Sequence, residues 1–118
     1  MERRNMPLDL FAGIPVRDFA EARPWYERLL GAEPSFLPHE TEAVWELDEH
    51  RYLYIVEMPE HAGHAQVMSF VDDLDARVAR IADRGITPDR KEDHEGGVRK
   101  VIFVDPDGNE VSFGGGPG

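Results

Sequence analysis

The chain has 118 residues and a formal net charge of −11 at pH 7, from 24 acidic and 13 basic side chains. A surface this acidic repels phosphate backbones and argues against a nucleic-acid partner. The absence of cysteine excludes disulfides, zinc–thiolate sites and thiol catalysis in this chain, and no apolar run approaches the roughly 20 residues that a membrane helix needs.

The length suits one domain with one modest core, so we expect a single domain over residues 1–118. The charged first residues lead into no apolar segment of the kind found in signal peptides, which predicts a cytoplasmic protein that does not contact membranes. Two interpretations of the acidic surface stay open: it serves solubility, or it attracts a cationic ligand.

The first half of the sequence predicts a strand, a helix and three more strands. Side chains alternate between two faces over residues 8–16. The aliphatic face is expected to carry the helix, whereas Phe11 and Gly13 lie on the other face. The three later strands are expected at Glu33–Leu37, Ala43–Leu47 and Tyr52–Met58.

The helix of the first half has a defined start and end in the sequence. Asp18 has the position of an N-cap with Glu21 three residues later, and Gly31 can end the helix in the left-handed conformation. Pro24 cannot donate a helical hydrogen bond. Either the first turn is therefore irregular or the regular helix begins near Ala22.

The second half repeats the pattern about 55 positions later. Asp73 again separates an alternating segment from a helical one, which ends before Gly85, and Asp105–Asn109 forms the turn of a closing hairpin. The elements expected in this half are a helix at Leu74–Arg84 and strands at Gln66–Val71, Thr87–Arg90, Val98–Val104 and Glu110–Phe113. Flexible segments are expected at His61–His64, at Asp93–Gly97 and in the tail, residues 114–118.

Three segments of the chain resemble a known family. They read F-A-G-I-P-V-R-D…P-W-Y-E-R-L-L-G from Phe11 to Gly31, Q-V-M-S-F-V-D-D-L-D…R-G from Gln66 to Gly85, and F-V-D-P-D-G-N-E-V-S-F from Phe103 to Phe113. Together they resemble the vicinal oxygen chelate superfamily, which includes glyoxalase I, extradiol dioxygenases, fosfomycin-resistance enzymes and bleomycin-resistance proteins. The resemblance covers nearly the whole chain.

The resemblance implies an α+β fold of two tandem βαβββ modules. The modules would span about residues 7–58 and 65–114 and form a partly closed mixed-sheet barrel, with the helices outside and a ligand cup inside. Many members of the family are homodimers whose cups can be shared between subunits, so a homodimer is expected.

Family enzymes hold a divalent ion with one side chain from the first and the last strand of each half. The resemblance places these ligands at Phe11, Tyr54, Gln66 and Ser112. Carboxylates and imidazoles bind such ions, whereas a benzene ring, a phenol, an amide and a small hydroxyl do not hold one together. We therefore expect no metal cofactor, no catalytic residue of the family type and no metal-dependent activity.

A slip of two residues along each strand preserves the face and gives a different ligand set. That set consists of Asp9, Tyr52, His64 and Glu110, three of which are good ligands. With nickel, zinc, iron or manganese it would support a lyase or a dioxygenase, which is the first alternative function. These residues stand at strand entrances, where their side chains are expected to face solvent.

Without the ion, the cup is expected to be an apolar bowl with a few polar groups, as in many small-molecule sites. Its predicted lining is Phe11, Trp45, Tyr54, Gln66, Met68, Phe70 and Ser112. Trp45 and Tyr54 suit stacking on a planar or cationic ligand, while Gln66 and Ser112 suit hydrogen bonds.

Among the family's roles, the acidic and metal-free bleomycin-resistance proteins are the most similar to this pattern. The resemblance therefore implies a non-catalytic protein of resistance type, which binds a small cationic or aromatic drug or metabolite and protects by sequestering it. A second alternative is a cup filled by its own aromatic side chains, in a protein that acts through protein contacts.

Overall fold

The computed structural model describes residues 8–116, which form two consecutive βαβββ units. The first module contains β1 (Leu10–Val16), α1 (Phe19–Leu30), β2 (Phe36–His39), β3 (Glu42–Asp48) and β4 (Arg51–Glu57). The second module contains β5 (Gln66–Phe70), α2 (Leu74–Asp83), β6 (Arg90–Asp93), β7 (Arg99–Val104) and β8 (Glu110–Gly115). Short 3₁₀ turns lie at Pro59–His61 and Glu95–Gly97.

Each module forms its own four-stranded sheet, and the two sheets have the same topology. Their strand orders are β1-β4-β3-β2 and β5-β8-β7-β6. The first and last strands of each module run parallel, and the other neighbours run antiparallel. The predicted α+β class and internal repeat are confirmed. Within residues 8–116 no strand pairing joins the two sheets, so the barrel is not closed.

Helix α1 begins where its capping residue predicts. Asp18 has an extended backbone, and its carboxylate accepts a hydrogen bond from the Glu21 N–H over 3.1 Å. The helix is continuous from Phe19 and contains Pro24 in its interior. The alternative start near Ala22 is therefore wrong, because the N-cap already satisfies an N–H group of the first turn.

Strands β2 and β6 begin later than predicted. The predicted ranges, Glu33–Leu37 and Thr87–Arg90, each contain a proline, Pro34 and Pro88. A proline has no amide hydrogen and cannot donate to a strand ladder, which disfavours pairing at Pro34 and Pro88. Pro38 is tolerated inside β2 because β2 is an edge strand of its sheet. The apolar and β-branched residues around Pro34 and Pro88 favoured strand predictions, but each of these two prolines lacks the N–H group that strand pairing requires.

Two of the segments predicted to be flexible are ordered. Gly114 and Gly115 belong to β8, where Gly114 pairs with Phe70 of β5 and both glycines are buried. Asp93 ends β6 and is followed by a 3₁₀ turn. The prediction for the tail was therefore wrong at its first two residues, because both glycines pair with the antiparallel β7 and Gly114 also pairs with the parallel β5. Residues 117–118 lie outside the described residues.

Both helices pack on one side of their sheets, and the buried side chains of the two modules form one core. This side is called the covered face, and the side without a helix is called the open face. The aromatic members of the core are Phe19, Tyr26, Trp45, Phe103 and Phe113. Neither described helix has the length and apolar composition that crossing a bilayer requires.

The closing hairpin of the second module is bonded to the first module through Asn109. The Oδ1 atom of this fully buried side chain accepts hydrogen bonds from the N–H groups of Gly63 (3.1 Å) and Ala65 (2.9 Å). Its Nδ2 atom donates to the carbonyl of Pro15 and to the carboxylate of Asp105, both over 2.9 Å. One amide thus joins the hairpin, the segment between the modules and the end of β1.

A second contact between the modules lies at the other end of α1. The Arg84 guanidinium, just beyond α2, donates to the carbonyls of Arg28 and Leu29. These carbonyls belong to the last turn of α1 and have no partner within the helix. Gly31 ends α1 with a φ of 77°, and a Cβ atom there would lie 2.9 Å from the Arg84 Cζ. The second module therefore supplies a cap for the helix of the first.

We expect the wild-type protein to lose stability as the pH rises above about 10, and we expect Tyr26→Phe to abolish the part of this loss that Tyr26 causes. The Tyr26 hydroxyl donates to the buried Asp105 over 2.7 Å; burial, followed by this carboxylate, raises the pKa of Tyr26 above its ordinary value of 10.0. Above that value the unfolded chain loses the proton while the folded chain keeps it, so the free energy of unfolding falls by about 1.4 kcal/mol per pH unit. Urea unfolding between about pH 9 and about pH 11 measures this slope, and equal slopes in both proteins would contradict it.

Candidate functional site

In the first module, two of the four positions that the resemblance assigns to metal ligands lie on the open face. Phe11 pairs with Tyr52 across β1 and β4, and Gly13 pairs with Tyr54. Since side chains alternate along a strand, all four positions share one face. Tyr54 therefore lies two residues after Tyr52, the residue that pairs with Phe11.

The second module repeats this offset. Gln66 pairs with Glu110 across β5 and β8, and Met68 pairs with Ser112. Ser112 thus lies two residues beyond the partner of Gln66, as Tyr54 does relative to Phe11 in the first module. The two modules therefore hold Phe11 and Gln66, and likewise Tyr54 and Ser112, at equivalent positions of their sheets.

Three aromatic side chains lie side by side on the open face of the first module. The rings of Phe11 and Tyr52 are stacked, with centroids 4.4 Å apart and an interplanar angle of 9°. The Tyr54 ring lies on the backbone of Gly13, where a Cβ atom would be only 2.5 Å from the Tyr54 Cζ. Phe11, Tyr52 and Tyr54 are called the aromatic surface. Sequence reasoning omitted Tyr52 from the predicted cup, although its parallel pairing with Phe11 is the signal that identifies it.

Two carboxylates lie near the Tyr52 ring of the aromatic surface. Glu46 pairs with Tyr52 across β3 and β4 and shares its face. Loss of hydration raises the pKa of the Tyr52 hydroxyl, and the negative charges of Glu46 and Asp9 raise it further. The carboxylate of Asp9 lies 2.7 Å from Nδ1 of His50. Aromatic ring faces next to negative charge attract planar cations more than anions.

The open face of the second module exposes two large apolar side chains beside the polar Gln66. Met68 is 52% exposed and Phe70 is 62% exposed. Both side chains lie against Gly114, where a Cβ atom would be 3.3 Å from the Met68 Sδ and 3.1 Å from the Phe70 ring. Ser112 is buried, and its hydroxyl donates to the carbonyl of Val67 over 3.4 Å. The Ser112 hydroxyl is therefore bonded within the sheet.

Trp45 lies on the covered face, away from the other predicted site residues. It pairs with the buried Leu53 across β3 and β4, and its own side chain is 2% exposed. Its indole N–H donates to the carbonyl of Ala32 over 2.8 Å. Trp45 therefore belongs to the core and does not join the aromatic surface, because it has the opposite strand parity to Glu46.

The seven predicted site residues consequently fall into three places. The open face of the first module holds Phe11 and Tyr54, and the core holds Trp45. The open face of the second module holds Gln66, Met68, Phe70 and Ser112. The two open faces belong to separate sheets, so the cup inferred from sequence is divided between two surfaces in one chain.

The residues at the four family positions do not fit a divalent ion. A phenyl ring, a phenol, an amide and a hydroxyl already bonded to a carbonyl provide too little charge and too few oxygen or nitrogen ligands. The alternative set is not assembled either: Asp9 is paired with His50, and Glu110 is paired with Arg90 over 3.1 Å. Within residues 8–116, no three His, Asp or Glu side chains lie together in a way that could hold a metal.

Solved structures are similar to this chain over nearly its whole length. The chain is 56% identical to a glyoxalase / bleomycin resistance protein from Catenulispora Acidiphila DSM 44928, with a TM-score of 0.90, and the match covers 94% of this chain and all of the other. No curated protein sequence matches this chain.

More distant structures share the fold. A bleomycin-binding protein, solved as a complex with bleomycin, is 23% identical with a TM-score of 0.73, over 92% of this chain and 98% of the other. A lactoylglutathione lyase from Agrobacterium tumefaciens is 18% identical with a TM-score of 0.73, over 95% of this chain and 94% of the other. The family model that matches residues 8–113 is that of the Glyoxalase/Bleomycin resistance protein/Dioxygenase superfamily. The chain therefore belongs to this superfamily.

Proposed function

We propose that this protein binds, without a metal, a small planar molecule that carries positive charge. The observation that supports the proposal best is the aromatic surface, with the stacked rings of Phe11 and Tyr52 and the carboxylates of Asp9 and Glu46 beside them. Stacking and cation–π attraction on such a surface are each worth about 0.5–2 kcal/mol.

A metal-dependent lyase or dioxygenase is less well supported. In such enzymes the ion stabilises negative charge on substrate oxygens, and this chemistry requires side chains that retain the ion. The family positions here offer Phe11, Tyr54, Gln66 and Ser112. We therefore propose binding without turnover and assign no catalytic residue.

The bleomycin-binding protein with the same fold gives the proposal a precedent. At 23% identity it supports the fold alone, and the ligand of this chain does not follow from it. By analogy we propose protection by sequestration in the cytoplasm, in which the protein lowers the free concentration of a toxic drug or metabolite.

We also propose that the protein acts as a homodimer. Phe11, Met68 and Phe70 are 48%, 52% and 62% exposed on the two open faces, and apolar groups in such numbers are usually covered by a partner. A second copy that brings one open face opposite the other would complete the cup. Sedimentation equilibrium should give twice the chain mass of 13.4 kDa, and a mass of 13.4 kDa at micromolar concentration would contradict the dimer.

The proposed function is tested by ligand-dependent melting and by metal analysis. The planar cation acridine orange is expected to stabilise the protein by about 2.7 kcal/mol at a hundred times its Kd, whereas the planar anion anthracene-2-sulfonate should have no effect. The dialysed protein should contain no stoichiometric nickel, zinc, iron or manganese. Equal stabilisation by the anion, or one retained ion per chain, would refute the proposal.

A further inference from the structure

A cleft of about 480 Å³ is lined by residues of both modules. Its volume is within the range of small-molecule sites, about 300–1,000 Å³. Trp45 and Phe113, which line it, are core residues, and Val67 packs against the core, so these walls lie on the covered face. They are on the opposite side of the sheets from the aromatic surface, which contributes only Tyr52 to the lining. We call this cavity the inter-module cleft.

An apolar residue of the covered face is left exposed beside the inter-module cleft. Leu10 has the strand position of the covered face, as Ala12 and Ile14 do, yet it is 61% exposed and lines the cleft. Leu47 also lines the cleft and is 41% exposed. Exposed apolar groups beside a cavity are typical of a ligand-binding groove. A hydrocarbon bound here would therefore remove apolar surface from water.

The two arginines that line the inter-module cleft are each paired with an aspartate. Arg51 lies 3.4 Å from Asp48, and Arg77 lies 3.2 Å from Asp73. The Arg77 guanidinium also stands 5.5 Å from the centre of the Phe113 ring and occupies the space over that ring. An anionic ligand would therefore have to displace an aspartate from an arginine.

The polar groups in the walls of the inter-module cleft are also bonded within the protein. The indole N–H of Trp45 donates to the carbonyl of Ala32 over 2.8 Å. Among residues 8–116, every buried side-chain nitrogen or oxygen has a hydrogen-bond partner. A ligand needs no polar group to satisfy such walls, and a charged ligand would lose hydration without gaining a partner. The walls thus favour a molecule without charge.

We propose that the inter-module cleft is a second binding site, separate from the aromatic surface, for an uncharged aromatic molecule. The aromatic walls formed by Trp45 and Phe113 favour a ring over an alkyl chain. The site does not depend on the binding of a cation, because its walls and the aromatic surface lie on opposite faces of the sheets.

The experiment uses two dyes that share one aromatic skeleton and differ in charge. The uncharged dye N-phenyl-1-naphthylamine becomes more fluorescent in apolar surroundings, and its titration should give a Kd on the order of 10 µM. Its sulfonated analogue, 1-anilinonaphthalene-8-sulfonate, is an anion and should bind about 10-fold more weakly or less. Equal affinity for the two dyes would show that an arginine is free to pair with an anion, and would overturn the assignment.

A blocking variant places the uncharged dye in the inter-module cleft. Ala32→Phe adds a ring at an exposed position that lines the cleft and keeps the carbonyl that Trp45 bonds; it should weaken binding of the uncharged dye by about 10-fold or more. Ala20→Phe is the matched control, because Ala20 is an exposed residue of α1 outside the cleft, and it should retain wild-type affinity. Ser69→Leu serves as a second blocking variant if Ala32→Phe does not fold.

Binding of acridine orange distinguishes this site from the proposed function. Ala32→Phe should leave the affinity for acridine orange unchanged, and Tyr54→Ala should leave the affinity for the uncharged dye unchanged. The cleft site would be overturned by wild-type affinity for the uncharged dye in a folded blocking variant, by loss of that affinity in Tyr54→Ala, or by no binding to the wild-type protein. Failure of acridine orange to bind would instead overturn the proposed function alone.

Discussion

Asn109→Ala is expected to lower the free energy of unfolding by about 4 kcal/mol, the largest stability effect that we predict. The substitution leaves the N–H groups of Gly63 and Ala65 without their side-chain acceptor, and it removes the donor to the carbonyl of Pro15. The buried carboxylate of Asp105 also loses one of its donors and keeps the bond from the Tyr26 hydroxyl. Asn109 is fully buried, so water cannot easily replace these bonds. The cost is therefore the sum of several desolvation penalties.

Urea unfolding and thermal melting test this expectation. A loss of this size corresponds to a fall in melting temperature of about 15 °C for a chain of this length. Glu95→Ala is the control, since Glu95 is exposed in the 3₁₀ turn of the second module and should change stability by less than about 0.5 kcal/mol. A loss below about 1 kcal/mol for Asn109→Ala would show that the hairpin does not hold the modules together.

Tyr54→Ala is expected to weaken binding of a planar cation by about 30-fold, which corresponds to about 2 kcal/mol. The substitution removes one of the three rings of the aromatic surface and exposes the backbone of Gly13 beneath it. Tyr54→Phe keeps the ring and should retain affinity to within about threefold. The comparison separates stacking from hydrogen bonding by the hydroxyl.

Gly13→Ala tests the same surface without altering any aromatic residue. The added Cβ atom would lie 2.5 Å from the Tyr54 ring, so the ring must leave its position on β1. We expect a loss of affinity for acridine orange similar to that of Tyr54→Ala, measured by calorimetric titration of folded protein. If both variants bind as tightly as the wild type, the ligand does not lie on the aromatic surface.

Local sequence signals were sufficient for much of the architecture. The N-cap of α1 at Asp18, its left-handed end at Gly31 and the turn before β8 depend on residues only a few positions apart. The predicted starts of β2 and β6, at Glu33 and Thr87, were wrong, because Pro34 and Pro88 cannot donate to a strand ladder at those points. The second failure, at Gly114 and Gly115, arose because a distant strand completes the backbone hydrogen bonds of residues with no strand preference.

Less of the candidate site than of the fold could be predicted from the sequence. Strand alternation placed Phe11 and Tyr54 on one face, but the partner of Phe11, Tyr52, is recognisable only from the parallel register of β1 and β4. Trp45 was predicted to stack on the ligand because it is aromatic. Its position in the alternation of β3 instead directs its side chain to the covered face, where it joins the core. The contacts between the two modules, such as those of Asn109 with Pro15, could not be predicted, because they join residues far apart in the chain.

The amino-acid sequence by itself determined the order of elements, the two-module repeat and the side chains at the family's metal positions, because these depend on short-range pattern and residue identity. Tertiary structure decided which rings stack, which faces remain open and where a cavity lies between the modules. These features arise from contacts between residues far apart in the chain, such as Asn109 with Pro15, and no local pattern specifies them.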